Sequence, residues 1–350
     1  MHFDLPLPLL FLPSAHSHSP SIIASEICIS VKIQCGSRTR FIAKCLNEDM
    51  GVDDSLLSNG RKCANFRLCK LSNYTSEILE IQADDPSLHV LFVPGNPGVI
   101  LFYKDFVEFL YELLGGTASD WEHGRLFSLQ EQIDHKIDFI KEELQDIEIP
   151  IILVGHSIGS YISVEMFKKS LKKVKYCVGL YPFLTLNPHS RAQLIIAKIA
   201  QSQIVAAALS YLTASLGLLP VNVLRFIVKK SLGKSWSSSA VEAACSHLSQ
   251  YHTMRNVLYM AMTEFKELAE TPDWTFLRER KDQCAFLFGV DDHWGPLQLL
   301  EEISKQVPGI SLFIERENHT HGFCCTEAGS LWVAEHVANL IKNHMVSTNQ

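Results

Sequence analysis

A serine near the middle of the chain has the surroundings of a catalytic nucleophile. Ser157 lies in the pentapeptide Gly155–Gly159, between the apolar segment Ile149–Val154 and the helix-like segment Ile158–Lys169. A G-x-S-x-G pattern is a weak signal alone, but between a strand and a helix it predicts the sharp turn that exposes a nucleophilic hydroxyl. The positive end of the helix dipole would then favour developing negative charge. We interpret Ser157 as a nucleophile, and a serine that only caps the helix is the alternative.

A nucleophilic serine requires a base and an acid that orients the base. In hydrolases with this type of turn the acid follows the serine along the chain and the histidine comes last. The apolar segment Cys284–Phe288 is followed by two carboxylates, Asp291 and Asp292. Asp292 lies three residues after Gly289, at the expected end of a strand, and is the preferred acid. Asp291 is the alternate.

The base is expected in the loop before the last helix. The apolar segment Ile310–Ile314 leads to two histidines, of which His321 is preferred because it starts the His-Gly-Phe sequence, and His319 is the alternate. Two histidines at this spacing could also bind a metal, but no third ligand at suitable spacing is evident, so no metal or cofactor is expected. The remaining histidines considered are interpreted as surface or core residues: His123, His156, His252 and His293.

The developing oxyanion needs hydrogen-bond donors. The backbone N–H of Ile158, next to the nucleophile, is one candidate. The second is expected from the Gly- and Pro-rich turn Pro94–Gly98, at Asn96 with Gly95 beside it. The alternative interpretation is that this turn is only structural.

Apolar strands alternate with amphipathic helices from about Glu77 onward, which predicts a mostly parallel central sheet with helices on both faces. We therefore expect an α/β-hydrolase fold over residues 71–345. A helical cap, called here the helical insertion, is expected over about residues 187–280. Residues 1–70 are expected to be irregular or disordered, because their prolines break helices. The net charge of −7 and the lack of a basic stripe exclude nucleic acid as an expected partner.

One interval is short for this fold. Between the predicted helices Phe102–Leu114 and Gln130–Leu144, residues 115–129 contain no run of four apolar residues, although a further central strand belongs there. A segment missing between Ser119 and Asp120, through an alternative transcript or a gene-model error, is one hypothesis. Such a loss would remove a buried strand next to the nucleophile strand and prevent stable folding.

The segment Ile199–Leu224 contains no charged residue and is flanked by Lys198 and Arg225. A helical hairpin buried in the insertion, a hairpin inserted into a lipid monolayer, and a membrane-spanning helix are the three interpretations. Polar residues and Pro220 dilute the segment, which argues against a span, and the monolayer is preferred because Arg225, Lys229 and Lys230 just downstream suit an anionic interface. The residues expected to contact lipid are Ile204, Leu209, Leu212, Leu216, Leu218 and Leu219.

Together these motifs resemble the lipid droplet-associated hydrolase family, and the match is most similar to its plant branch. The residues that carry the resemblance are Val93–Gly98, Gly155–Gly159, Tyr181–Phe183, Asp292–Pro296 and His321–Phe323. The resemblance implies a triad of Ser157, Asp292 and His321. It also implies hydrolysis of neutral-lipid esters, such as sterol esters or acylglycerols, through an acyl-enzyme. The implied locations are the droplet surface, with the cytosol and the endoplasmic reticulum membrane surface as further ones. A droplet-surface scaffold with a vestigial triad is the alternative function, and an acyltransferase or thioesterase is a lesser one.

Overall fold

The computed structural model describes residues 87–114, 127–145, 148–231 and 235–348, and the backbone of four further strands. These four are β1 (Ile22–Val31), β2 (Asn65–Leu71), β3 (Tyr74–Ile81) and β5 (Gly116–Ala118). With the strands of the fully described ranges they form one sheet in the order β2-β3-β5-β1-β4-β6-β7-β8-β9.

Five parallel strands make up the half of the sheet that carries the candidate site. They are β4 (Leu88–Val93), β6 (Ile151–His156), β7 (Val174–Leu180), β8 (Cys284–Gly289) and β9 (Ser311–Glu315). Strands β4, β6 and β8 are buried along their whole length. Burial on both faces explains why they read as continuous apolar runs. The predicted mostly parallel sheet is confirmed, and its carboxyl ends bring the loops that follow the strands to one edge.

Helices cover both faces of this sheet. Helices α1 (Lys104–Leu114) and α11 (Glu327–Thr348) pack on one face. Helices α2 (Leu129–Glu142), α3 (Ile158–Lys169) and α10 (Leu297–Gln306) belong to the core on the other. Alternate residues of β4 enter the two cores, as the period of a strand requires.

The first part of the chain differs from its prediction. The sequence pattern predicts an irregular extension over residues 1–70, whereas the backbone of β1 lies parallel to β3 and antiparallel to β4. The alternating β-branched residues Ile27, Ile29 and Val31 favour a strand there, and β1 itself contains no proline to interrupt its pairing.

The structure also tests the prediction made for residues 115–129, the short interval after α1. It contributes only the three-residue strand β5, and residues 119–126 lie outside the described part of the chain. Strand β1 occupies the position beside β4. The prediction that β6, the strand before Ser157, lacks a neighbour is wrong, because β6 pairs with β4 on one side and with β7 on the other.

The chain between β7 and β8 is helical, in the region predicted for the insertion. Its α-helices are α4 (Arg191–Gln201), α5 (Gln203–Gly217), α6 (Val221–Ser231), α7 (Ser238–Ala243), α8 (Tyr251–Glu267) and α9 (Trp274–Glu279). Ser190, Ser202 and Ser237 cap the helices α4, α5 and α7 by accepting backbone N–H bonds.

Large apolar side chains of α4, α5, the α5–α6 connection and α6 are exposed to solvent. We call this set the apolar face: Leu194, Ile195, Ile204, Val205, Tyr211, Leu212, Leu216, Leu218, Val221, Val223, Phe226 and Ile227. Ile204 and Leu218 are 84% and 87% exposed. Of the other residues expected to contact lipid, Leu212 and Leu216 are exposed, whereas Leu209 and Leu219 are half-buried.

No single helix in the described ranges combines the length and the apolar composition of a membrane span. The pair α4 and α5 does so jointly, but the two helices are bent by 96° relative to each other.

Candidate active site

Ser157 lies in a strained turn between β6 and α3. Its φ of 55° is in a region that residues other than glycine rarely adopt. The flanking glycines are required by close backbone approach. A Cβ atom at Gly155 would overlap the carbonyl of Gly159, and one at Gly159 would overlap the carbonyl of Val93. The strand, turn and helix predicted around Ser157 are therefore all present.

An acid and a histidine meet beside this turn. The Asp292 carboxylate accepts a hydrogen bond from His321, with 2.8 Å between Oδ2 and Nδ1, and its other oxygen accepts the backbone N–H of Trp294 at 2.9 Å. Asp292 is buried, whereas Asp291 is exposed. The His319 ring instead packs 6.0 Å from the Trp332 ring. The preferred residues, rather than the two alternates, form the acid–histidine pair.

The His321 ring lies close to the turn that carries Ser157, which we call the serine elbow. Its centroid is 4.9 Å from that of His156, the neighbour of the serine. The Ser157 side chain is largely buried and makes no hydrogen bond to any described residue. Catalytic hydrogen bonds in unliganded enzymes are often long and shorten only when substrate binds.

Two backbone N–H groups near Ser157 have no acceptor in the described part of the chain. They belong to Ile158, the first residue of α3, and to Asn96, in the turn after β4. The N–H of Gly95 already donates to the Tyr103 hydroxyl at 3.1 Å, so the expectation that Gly95 is a donor to the oxyanion is corrected. Gly95 matters for space instead, because a Cβ there would lie 2.9 Å from that of Ser157.

A buried carboxylate shapes the histidine loop. Glu315, at the end of β9, is 1% exposed and accepts the backbone N–H groups of Glu317 and His319. Between them Asn318 has a φ of 66°, a conformation that asparagine tolerates. The sequence motifs do not identify Glu315. Its signal was a carboxylate at a strand end, six residues before His321.

The helical insertion contacts two of the site's loops. The Asn96 side chain donates to the carbonyl of Val257, on α8, at 3.0 Å. Gln193, on α4, donates to the carbonyl of His293, next to the acid, at 2.9 Å. The insertion therefore lies against both the turn Pro94–Gly98 and the loop that carries Asp292.

Another buried carboxyl lies behind Asn96. Burial raises the pKa of Glu264, on α8, to about 8, and a hydrogen bond with the Asn96 side chain opposes the rise. One Glu264 oxygen has no partner in the described residues. An isolated acid inside a helical pattern carried no recognisable sequence signal.

No group of three or more metal-ligating side chains is arranged to bind a metal within the described ranges. Ser157, the acid–histidine pair and the two backbone N–H groups could together perform acyl transfer with groups of the protein alone.

Solved structures with a similar fold include hydrolases. A haloalkane dehalogenase from Bradyrhizobium elkani matches with a TM-score of 0.62 and 12% identity, covering 81% of this chain and 99% of the other. An epoxide hydrolase from Vigna radiata matches with a TM-score of 0.57 and 16% identity, covering 80% and 98%. At such low identity these matches show the α/β-hydrolase fold alone.

Sequence relatives are more specific. A lipid droplet-associated hydrolase of Dictyostelium discoideum is 27% identical, covering 77% of this chain and 94% of its own length. The proteins of that name from Gallus gallus and Homo sapiens are 26% and 22% identical, covering 68% and 79% of this chain and 80% and 92% of their own lengths. The family model described as lipid-droplet associated hydrolase matches residues 86–324. The chain belongs to this family of hydrolases.

Proposed function

We propose that this protein is a serine ester hydrolase whose triad is Ser157, His321 and Asp292. The observation that carries the proposal is the hydrogen bond of 2.8 Å between His321 and a buried Asp292, next to a serine in a strained elbow. Asp292 selects the tautomer of His321 that leaves Nε2 free to accept a proton.

The proposed reaction has two steps. His321 Nε2 takes the Ser157 proton while Oγ attacks the ester carbonyl, and the N–H groups of Ile158 and Asn96 donate to the oxyanion. Collapse of this intermediate expels the alcohol, which receives the proton from His321, and leaves an acyl-enzyme. Water, deprotonated by His321, then attacks the acyl group and releases the acid and the free serine. No cofactor takes part in either step.

The proposed substrates are neutral-lipid esters, such as sterol esters or acylglycerols, at the lipid droplet surface, with the endoplasmic reticulum membrane surface as a second location. The relatives' names support the location. The apolar face supports it independently, because exposed apolar patches of this kind bind membranes or partners. Lys229 and Lys230 lie in the last turn of α6 and suit an anionic headgroup layer, whereas Arg225 of the same helix forms an ion pair with Glu242.

In this proposal residues 71–345 form the catalytic domain together with strands β1 and β2, which belong to the same sheet, and the insertion over about 187–280 is its cap. Contacts of Asn96 and Gln193 join the cap to the loops of the site. A cap that carries the apolar face would thus place lipid near the serine.

A fluorophosphonate probe tests the proposal. Attack of Ser157 Oγ on phosphorus expels fluoride and leaves a stable phosphonylated serine. We expect labelling and ester hydrolysis in the wild type and neither in Ser157→Ala. Ser163→Ala is the matched control, since Ser163 is a buried serine of α3, the helix that follows the turn at Ser157, and it should retain both.

The alternative function is a droplet-surface scaffold with a vestigial triad, which the extent of the apolar face favours. It predicts droplet binding without labelling. A folded wild type that binds droplets but neither reacts with the probe nor hydrolyses esters would establish the scaffold and reject the hydrolase.

A further inference from the structure

Two buried side chains connect three parts of the site that are distant in the sequence. Tyr103 is the last residue of the 3₁₀ turn before α1, and His156 is the last residue of β6. The Tyr103 hydroxyl lies 2.7 Å from His156 Nδ1. The N–H of Gly95 donates to the same hydroxyl, and His156 Nε2 lies 2.9 Å from the carbonyl oxygen of His321.

These contacts form a series of hydrogen bonds, and the groups at its two ends determine which atom donates in each bond. A backbone N–H can only donate, and a carbonyl oxygen can only accept. His156 Nε2 must therefore carry a hydrogen and donate it to His321. The Nδ1 atom of a neutral ring then has a lone pair, which accepts the Tyr103 O–H, while the Tyr103 oxygen accepts the N–H of Gly95.

Both rings are in surroundings that favour their neutral forms. Tyr103 is 3% exposed and His156 is 4% exposed. Burial raises the pKa of Tyr103 well above its usual value, with nearby Cys324 as a further cause. Burial, followed by the neighbouring His321, lowers the pKa of His156 well below its usual value.

We propose that Tyr103 and His156 are positioning residues, which hold the oxyanion turn and the loop of the catalytic histidine in register with the serine elbow. The series of hydrogen bonds begins at Gly95, beside the donor Asn96. It passes through Tyr103 and then His156, the residue before Ser157, and ends at the main-chain carbonyl of His321. This inference rests on the proposed function, since it assigns how that site is aligned.

The mechanical consequence is specific to catalysis. Without the Tyr103 hydroxyl, the Gly95 N–H and His156 Nδ1 both lose a buried partner, and the peptide that carries the Asn96 N–H loses an anchor. Misplacement of a reacting group by about 1 Å can cost roughly 100-fold in rate. Binding of the ester's apolar parts would not change, so the loss should appear in kcat rather than KM.

Tyr103→Phe removes only the hydroxyl and keeps the ring that packs 4.9 Å from Phe92. We expect kcat for a soluble ester to fall about 10- to 100-fold with KM within threefold of the wild type. Tyr176→Phe is the matched control, because Tyr176 is also buried but stacks on His344, away from the chain of hydrogen bonds. It should change kcat by less than threefold.

Two substitutions of His156 separate the two bonds. In His156→Asn the amide can still accept from Tyr103 but cannot reach His321. In His156→Gln the longer amide can still donate to the His321 carbonyl. Because each retains one bond, each should lower kcat less than His156→Ala does. Equal kcat values for these three variants would overturn the proposal, as would Tyr103→Phe behaving like Tyr176→Phe.

The proton positions provide a test that needs no activity. In the wild type, the ¹⁵N shifts of His156 should show a protonated Nε2 and an unprotonated Nδ1 at pH 7. A protonated Nδ1 would overturn the inference, and this measurement decides the matter if Tyr103→Phe does not fold. A wild type without esterase activity would count against the proposed function, while the nitrogen shifts would still test the hydrogen-bond chain.

Discussion

The candidate active site and the apolar face depart in opposite ways from the usual distribution of side chains. Around Ser157 the polar side chains are buried: Asp292 is 6% exposed, His156 4% and Glu315 1%. On helices α4 and α5 and the connection after α5, apolar side chains are exposed instead, with Ile204 and Leu218 more than 80% accessible. Each arrangement costs free energy unless a partner offsets it.

The partners differ in kind. At the site they lie within the protein, since each of the buried groups named above accepts or donates hydrogen bonds to nearby main chain or side chains. At the apolar face the partner must come from outside, and in our proposal it is lipid. Chemistry and docking should therefore be separable by substitution.

The largest difference between the effect on catalysis and the effect on droplet binding is expected from Asp292→Asn. An amide at this position cannot select the productive tautomer of His321, and a loss of the orienting acid in a serine triad lowers kcat by roughly 10⁴-fold. Droplet association should be unchanged. The measurements are ester hydrolysis and co-flotation with artificial droplets. Asp291→Asn, at the exposed neighbour, is the control and should retain activity.

The second prediction concerns a variant that loses droplet binding and keeps catalysis. Ile204→Asp combined with Leu218→Asp should lower droplet binding by at least about 100-fold, because each buried aliphatic side chain contributes about 1.5–3 kcal/mol. Hydrolysis of a soluble ester should stay within twofold. Leu171→Asp, at an exposed leucine after α3, is the control and should still bind. Unchanged flotation of the double variant would contradict the assignment of the apolar face.

Glu264 should couple stability to pH in the cap. Its pKa rises from 4.5 to about 8 on folding, so the folded state binds more protons between these values, and stability falls as the pH rises through that window. Replacement by Gln, which carries no charge, should remove that part of the pH dependence, on the order of a few kcal/mol between pH 5 and 9. Thermal melts of both proteins across this range measure it. Parallel stability curves would show that Glu264 is not protonated in the folded protein.

The smallest effect is expected away from both regions. The Ser128 side chain accepts the backbone N–H of Glu131 at the start of α2, and the Glu131 carboxylate accepts the backbone N–H of Ser128. Ser128→Ala should cost about 1 kcal/mol of stability, measured by denaturant unfolding. It should change neither kcat nor droplet binding. An altered kcat would indicate that α2 is coupled to the oxyanion turn.

Local patterns were sufficient for the elements with short-range signals. The strand–turn–helix around Ser157 was predictable because close backbone contacts demand glycines at Gly155 and Gly159, and apolar runs marked the strands that are buried on both faces. The order of serine, acid and histidine then restricted the triad to a few candidates. Helix α3 was predicted at its observed bounds, since its apolar spacing and its elbow mark both ends.

Other features depend on contacts between distant segments, which no local pattern contains. Asp292 and Asp291 are adjacent in sequence, and only the fold of the loop buries one against His321 and exposes the other. The pairing of residues 22–31 with β4, and the bonds that join Gly95, Tyr103, His156 and His321, span separate parts of the chain. Residue type states which groups can donate or accept a hydrogen bond, but their partners depend on how the sheet brings those segments to one edge.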